Sequence, residues 1–158
     1  MTRPTHFFLC SGASEGYTVL NAFDQSLLQA GIGNTNLVKV SSILPPGVIR
    51  SEPVSLEPGC FVPIAYATIE SSTPQEMIAA AISVAIPEDR TLPGVIMEYS
   101  ARGLAEDVEK IARSMARKAL EYREYTLGEI LSASVEHRVE TIGAAFAGVA
   151  LYDEAHRG

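Results

Sequence analysis

Residues 31–46 read G-I-G-N-T-N-L-V-K-V-S-S-I-L-P-P, and the rest of the chain is organised around them. A turn rich in Gly and Asn opens the stretch. A short apolar strand over 37–40 follows, and the pair Ser41-Ser42 then leads into Ile43, Leu44 and two prolines, with the extended segment expected to run through 37–44. Gly31, Gly33 and Asn34 are residue types that tolerate positive φ, so the chain is expected to fold back sharply before the strand. Pro45 and Pro46 stiffen the exit and push Leu44 towards extended geometry. A peptide bond held between such brackets is a place to expect backbone strain of the kind functional sites store.

Upstream of this stretch, residues 6–10 are apolar and β-prone, a first strand. Residues 11–16, S-G-A-S-E-G, are expected to turn the chain into a helix, with Ser14 as a candidate cap. This segment has some character of a phosphate cradle but lacks the Gly-Lys-Ser/Thr ending of a P-loop. Over 16–30, Val19, Leu20, Phe23, Leu27 and Ala30 follow helical spacing, and Gly31 is a stop signal. Asp24 falls at the border of that apolar stripe, between Leu20 and Leu28. It is either a solvated carboxylate at the helix edge or one partly shielded from water.

Downstream, 45–59 reads as loop with a short strand, and 61–69 as a strand. Thr73, Pro74 and Glu76 stand as N-cap, first-turn proline and capping-box partner, which predicts a helix over 74–85. The run G-V-I-M-E-Y-S over 94–100 predicts a strand with Val95, Met97 and Tyr99 on one face and Ile96, Glu98 and Ser100 on the other. Glu98 is the most out-of-place charge in the chain. On an exposed face it is an ordinary glutamate; buried without a cation, its pKa would rise and favour the neutral acid. Residues 104–122 form the clearest helix, with Leu104, Val108, Ile111, Met115 and Ala119 as its inner stripe. Strands over 130–139 and 143–152 close the chain. The order β-α-β-β-α-β-α-β-β predicts an α+β fold in which helices cover mostly antiparallel sheets.

With 158 residues, 47% of them hydrophobic and 20% charged, the chain suits one globular domain with a sizeable core. The net charge of −7 argues against a nucleic-acid partner and gives slight support to a cationic ligand. The longest apolar runs, such as 61–69, are too short to cross a bilayer, so no membrane is expected. The opening M-T-R-P-T-H-F-F-L-C does not read as a signal peptide, and the cytoplasm is the expected compartment. Cys10 and Cys60 have no metal spacing and read as small buried hydrophobes. His6, His137 and His156 likewise suggest no metal site.

The run over 31–46 resembles the processing site of the pyruvoyl-dependent arginine decarboxylases, and G-V-I-M-E-Y-S resembles that family's catalytic-acid strand. L-N-A-F-D-Q-S-L-L over 20–28 and V-E-H-R-V-E over 135–140 are also similar, so the resemblance covers nearly the whole chain. It implies an αββα sandwich and a proenzyme that cuts itself between Ser41 and Ser42. Residues 1–41 would become a β chain and 42–158 an α chain, with Ser42 converted to a covalent N-terminal pyruvoyl group. The activity implied is that of a carboxy-lyase converting L-arginine to agmatine and CO2 through a Schiff base. By the same resemblance Glu98 is the proton donor and Asn36 the polar residue of the cleavage environment. Asp24 meets the guanidinium, and Leu27, Ser41 and Ile43 join it in binding substrate. The family builds its sites between neighbouring subunits of a homotrimer of αβ units, or of a dimer of such trimers. Two alternatives stand beside this reading: the same processing with another amino acid as substrate, and a trimeric small-molecule-binding or regulatory protein that never cleaves.

Overall fold

The Ser41-Ser42 pair marks the place where the chain leaves one β-sheet and enters another. The computed structural model describes residues 3–158; Met1 and Thr2 of the opening stretch, and the side chain of His156, lie outside the described residues. The elements run β1 (His6–Glu15), α1 (Val19–Gln29), β2 (Asn36–Lys39), β3 (Ile43–Leu44), β4 (Ile49–Arg50), β5 (Phe61–Ser71), β6 (Met77–Pro87), β7 (Gly94–Arg102), α2 (Ala105–Tyr122), β8 (Leu127–Arg138) and β9 (Gly143–Tyr152). One sheet has the order β2-β5-β9-β1-β4 and the other β3-β7-β6-β8. The pairings β1–β4 and β2–β5 are parallel, and the others are antiparallel.

The sheets stack face to face. Phe7, Ala65 and Val149 from the five-stranded sheet meet Ile78, Ile82 and Ile96 from the four-stranded sheet in a shared core. Helix α1 covers the outer face of the first sheet over Phe8, Ile64 and Phe146. Helix α2 covers the outer face of the second, with Val108 and Ala112 against Ala79 and Ala81. Small side chains on both sides of that contact let the helix sit close to the strand. This is the expected α+β architecture, an αββα sandwich, buried on both faces of each sheet.

Several local expectations are corrected. The helix predicted over 74–85 is strand β6. Its run I-A-A-A-I-S-V-A-I-P is buried from end to end, and it lies between β7 and β8 with a core on each face. Such a strand has no polar face to show a period, so the capping signals at its start prevailed. Those signals belong to a turn instead. The Glu76 N–H donates to the Thr73 carbonyl at 3.2 Å, and Gln75 takes φ 70° while its N–H donates to Val139.

Ser11 to Glu15 are not a loop but continue β1, paired with β9 as far as Glu15 opposite Gly143. The cap of α1 is Thr18, not Ser14, and its side chain accepts from the Asn21 N–H. Gly12 is needed inside this strand because a Cβ there would lie 2.3 Å from the Ser26 carbonyl oxygen of the covering helix. The single strand expected over 37–44 is two, β2 and β3, in different sheets. Gly31 alone of the three turn residues is left-handed, at φ 84°. The buried face of α2 is Val108, Ala112, Ala116, Ala119 and Leu120, while Leu104 and Ile111 lie exposed.

Cys10 is buried, with its thiol donating to the Gly148 carbonyl and burial pushing its pKa up to about 12. Cys60 is half-buried. No helix among the described residues is long and apolar enough to cross a membrane. No group of three or more His, Cys, Asp or Glu among them could hold a metal ion.

Candidate active site

The peptide joining Ser41 to Ser42 is pinned from both sides by different sheets. On its amino side, β2 runs parallel to β5, and the Val40 N–H donates to the Ile64 carbonyl at 2.9 Å. On its carboxyl side, the Ser42 carbonyl accepts from the Ile96 N–H at 2.7 Å, and Ile43 and Leu44 pair with Val95 and Gly94. Gly94 lets this short strand lie close, since a Cβ there would come 3.2 Å from Leu44. Ser41 is exposed and Ser42 half-buried. Neither takes positive φ, so the strain expected from the bracketing residues is not held in a left-handed backbone at the pair.

Glu98 lies two residues beyond Ile96 on β7 and on the same face as it, turned towards the other sheet as alternation requires. Ser100, next on that face, donates to the Thr68 carbonyl of β5 at 3.1 Å. The Lys39 ammonium stands 3.6 Å from the Glu98 carboxylate and 4.7 Å from the centroid of the Tyr66 ring. Partial burial raises the pKa of Glu98; the nearby Lys39 and a backbone contact with Tyr66 work against that rise without cancelling it. Glu98 is therefore a weaker acid than an ordinary glutamic acid.

An aromatic chain leads from here to α1. Tyr66 lies 5.3 Å from Phe146, and Phe23 lies 6.2 Å and 6.1 Å from these two rings. Asp24 follows Phe23 on the exposed side of α1, whereas Leu27 is buried beneath the helix. Ile43 is exposed. Asn36 is at the opposite end of β2 from the serine pair. Its side-chain amide donates to the Gly59 carbonyl at 3.0 Å, and its backbone N–H donates to Cys60.

Within one chain, then, Ser41, Ser42, Ile43 and Glu98 come together at the crossing between the sheets. Asn36 lies at the far end of β2 and Asp24 on the exposed side of α1. Lys39 and Tyr66 were not anticipated from the sequence. The one signal for Lys39 is that, two residues before Ser41, it is a lone charge in an apolar strand. The cavity lined by Arg3, Leu56, Cys60, Phe61, Tyr152 and Asp153 contains none of these groups.

A pyruvoyl group derived from Ser42 fits this arrangement. The parent hydroxyl residue is in place, its carbonyl is held by Ile96, and a carboxyl of raised pKa stands on the same strand face.

The family model for pyruvoyl-dependent arginine decarboxylase matches residues 6–155. A pyruvoyl-dependent arginine decarboxylase of Methanocaldococcus jannaschii is 49% identical over 149 residues, covering 94% of this chain and 90% of the relative. One from Methanococcus maripaludis is 43% identical over 149 residues, covering 94% and 91%. One from Pyrococcus abyssi is 37% identical over 154 residues, covering 96% and 97%. Among solved structures, a pyruvoyl-dependent histidine decarboxylase at pH 8 aligns with a TM-score of 0.52 and 17% identity. That alignment covers 63% of this chain and 53% of that one, a likeness of fold alone.

Proposed function

The chain belongs to the pyruvoyl-dependent arginine decarboxylase family, and from that premise we infer a self-processing carboxy-lyase that converts L-arginine to agmatine and CO2. Within this chain, one observation supports the reading above the others. The Ser41-Ser42 peptide crosses between two sheets that hold each of its ends independently, beside a carboxyl of raised pKa.

In the processing step, the Ser42 hydroxyl oxygen attacks the Ser41 carbonyl carbon, and the nitrogen of Ser42 leaves with a proton. The resulting ester eliminates: the Ser42 Cα gives up its proton, the Cβ–O bond breaks, and Ser41 departs as a carboxylate. The dehydroalanine left on residue 42 takes up water and releases ammonia to become the ketone. Residues 1–41 form the β chain and 42–158 the α chain. The ten paired positions of β1 with β9, and those of β2 with β5, keep the two together after the cut.

Once formed, the pyruvoyl group supplies the electron sink for charge left on the substrate α-carbon as CO2 departs. Glu98 then gives its proton to that carbon, and partial burial keeps the proton on the carboxyl until it is needed. Asp24 accepts the guanidinium through forked, charge-assisted hydrogen bonds, a geometry arginine offers and lysine does not. Ser41 and Ile43, both exposed, complete the substrate contacts, while Leu27, buried beneath α1, supports Asp24 from the core side of the helix.

Asp24 lies on the exposed side of α1 and Asn36 at the far end of β2 from Ser42, and we place both beside the serine of a neighbouring copy. Such sharing calls for an assembly of copies, for which we propose a homotrimer of αβ units, with pairing of trimers as the larger assembly. The cytoplasm is the compartment proposed for it.

A denaturing intact-mass measurement tests the reading. Wild-type protein should give two chains divided between Ser41 and Ser42, the larger one lighter by one ammonia than a free-serine fragment. Ser42→Ala should remain one chain and release no CO2 from arginine. A wild-type chain that stays whole on prolonged incubation would overturn the proposal and favour a binding protein.

A further inference from the structure

We propose that Lys39 is a positioning residue for the decarboxylation, holding the Glu98 carboxyl from across the cut and setting its readiness to give up a proton. The inference rests on the reading of Glu98 as the proton donor.

The geometry is specific. Lys39 is the last residue of β2, an edge strand of the five-stranded sheet, while Glu98 belongs to β7 of the other sheet. Their side chains meet at 3.6 Å where the Ser41-Ser42 segment crosses. A lysine side chain left alone samples many rotamers, and ordering it costs conformational entropy. Here the ammonium is held at two points, by the carboxylate and over the Tyr66 ring at 4.7 Å. Among the described residues, most ion pairs join neighbours on one helix or the ends of adjacent strands. This one, like Glu15–His137, bridges two sheets and, after processing, two polypeptides, and of the two it alone lies beside the serine pair. The cut does not release Lys39, because β2 stays paired with β5 from Asn36 opposite Phe61 to Lys39 opposite Ile64.

The other groups around Glu98 leave the electrostatic role to Lys39. The cross-strand neighbour on β6 is Ile82, and beyond it on β8 lies Ala133. Ile96 and Ser100 flank Glu98 on its own face of β7. Strand β5 presents Tyr66 and Thr68, and α1 sends Phe23 towards Tyr66. None of these carries a charge at neutral pH. Burial alone would make Glu98 a poor acid. An ammonium beside it stabilises the carboxylate that remains once the proton has moved to the substrate carbon, and so favours the transfer.

The test compares Lys39→Met and Lys39→Arg in the processed enzyme. In Lys39→Met, kcat should fall with KM little changed. The basic limb of the kcat profile, where Glu98 loses its proton, should move up by about half a pH unit, as suits a partly exposed pair. On that limb the protonated fraction of Glu98 would differ about threefold from wild type. Lys39→Arg keeps the charge and should restore the wild-type limb.

A second measurement does not require turnover. Carboxyl carbon-13 shifts of Glu98 are titrated in the uncut Ser42→Ala protein, with and without Lys39→Met. The same upward shift is expected, and this titration also decides the matter if Lys39→Met fails to process. A Glu98 titration that does not move would overturn the role of Lys39 alone. A wild-type protein that yields no agmatine would instead overturn the proposed function.

Discussion

The two helices cover their sheets in different ways. Helix α2 presses Val108, Ala112, Ala116, Ala119 and Leu120 onto the four-stranded sheet and turns charge outwards. The pairs Glu106–Lys110 and Lys118–Glu121, each at 3.0 Å, are ordinary solvated helix contacts. Helix α1 buries Ala22, Ser26 and Leu27, but its outer ridge runs Leu20, Asp24, Leu28 at four-residue spacing, with Leu20 73% exposed. Tyr17, just before the helix, is 91% exposed. Scattered exposed leucines need no explanation. Helix α2 also leaves Leu104 and Ile111 exposed; what sets α1 apart is the carboxylate standing between its two leucines on one ridge. Under the proposed function α1 has two tasks, covering its sheet and offering Asp24 to the substrate, whereas α2 has the first alone.

Substitutions on the two helices should therefore fail in different ways. Asp24→Ala should lower kcat/KM for arginine by about 10- to 100-fold, the loss expected for a charged hydrogen-bonding partner. Its unfolding free energy from urea melts should stay within about 0.5 kcal/mol of wild type, as for a surface change. Steady-state kinetics and urea melts on the same preparation check both halves of this. Arginine turnover left nearly intact would break the assignment and point to another amino acid as substrate. Ala112→Leu should do the reverse. Fully buried against Ala79 and Ala81, the added side chain has no room, and stability should fall by about 1–3 kcal/mol. At temperatures where the variant is folded, intact mass should still give two chains. A harmless Ala112→Leu would show that the close approach of α2 to β6 is not tight.

What could be read from the sequence follows the same division. The sequence pattern predicts strand β9 over 143–152, where it is found, and likewise predicts α2 and β7. In β7 and α2 a polar face alternates with an apolar one, so the period is visible. Strand β6 has a core on both faces, so its pattern carries no period and it read as a helix. The change of sheet at Ser41-Ser42 was invisible for another reason. The residues on either side are equally apolar, and only their partners, β5 for one and β7 for the other, separate them. Glu98 stood out because a carboxylate interrupts an apolar strand. Lys39 did not, because its meaning depends on two sheets being stacked before its ammonium can reach that carboxylate. Asn36 could be matched to a family pattern, but its contact with Gly59 within the chain could not be foreseen from that pattern.

The smallest expected effect lies at the joint between the two halves. Glu15 ends β1 in the five-stranded sheet, on the 1–41 side of the proposed cut, and His137 belongs to β8 of the other sheet. They meet at 2.5 Å, and the second oxygen of Glu15 accepts from the N–H groups of Thr141 and Glu140 at 2.6 and 3.2 Å. Burial acts to raise the pKa of Glu15, but these donors together outweigh it and hold the carboxyl below its ordinary value of 4.5. The folded protein therefore binds this proton less readily than the unfolded chain does. The stabilisation is complete above 4.5 and is lost as pH falls through the lower folded value. Glu15→Gln should cost about 1 kcal/mol or less at pH 7, since the site is partly open to solvent. The gap from wild type should narrow below about pH 4.5 as the native carboxylate takes up its proton. Glu106→Gln, on the solvated face of α2, should change stability little at either pH. Urea melts of the three proteins across that range make the comparison. If the Glu15→Gln deficit stays constant into acid, the joint depends on the shape of the side chain and not on its charge.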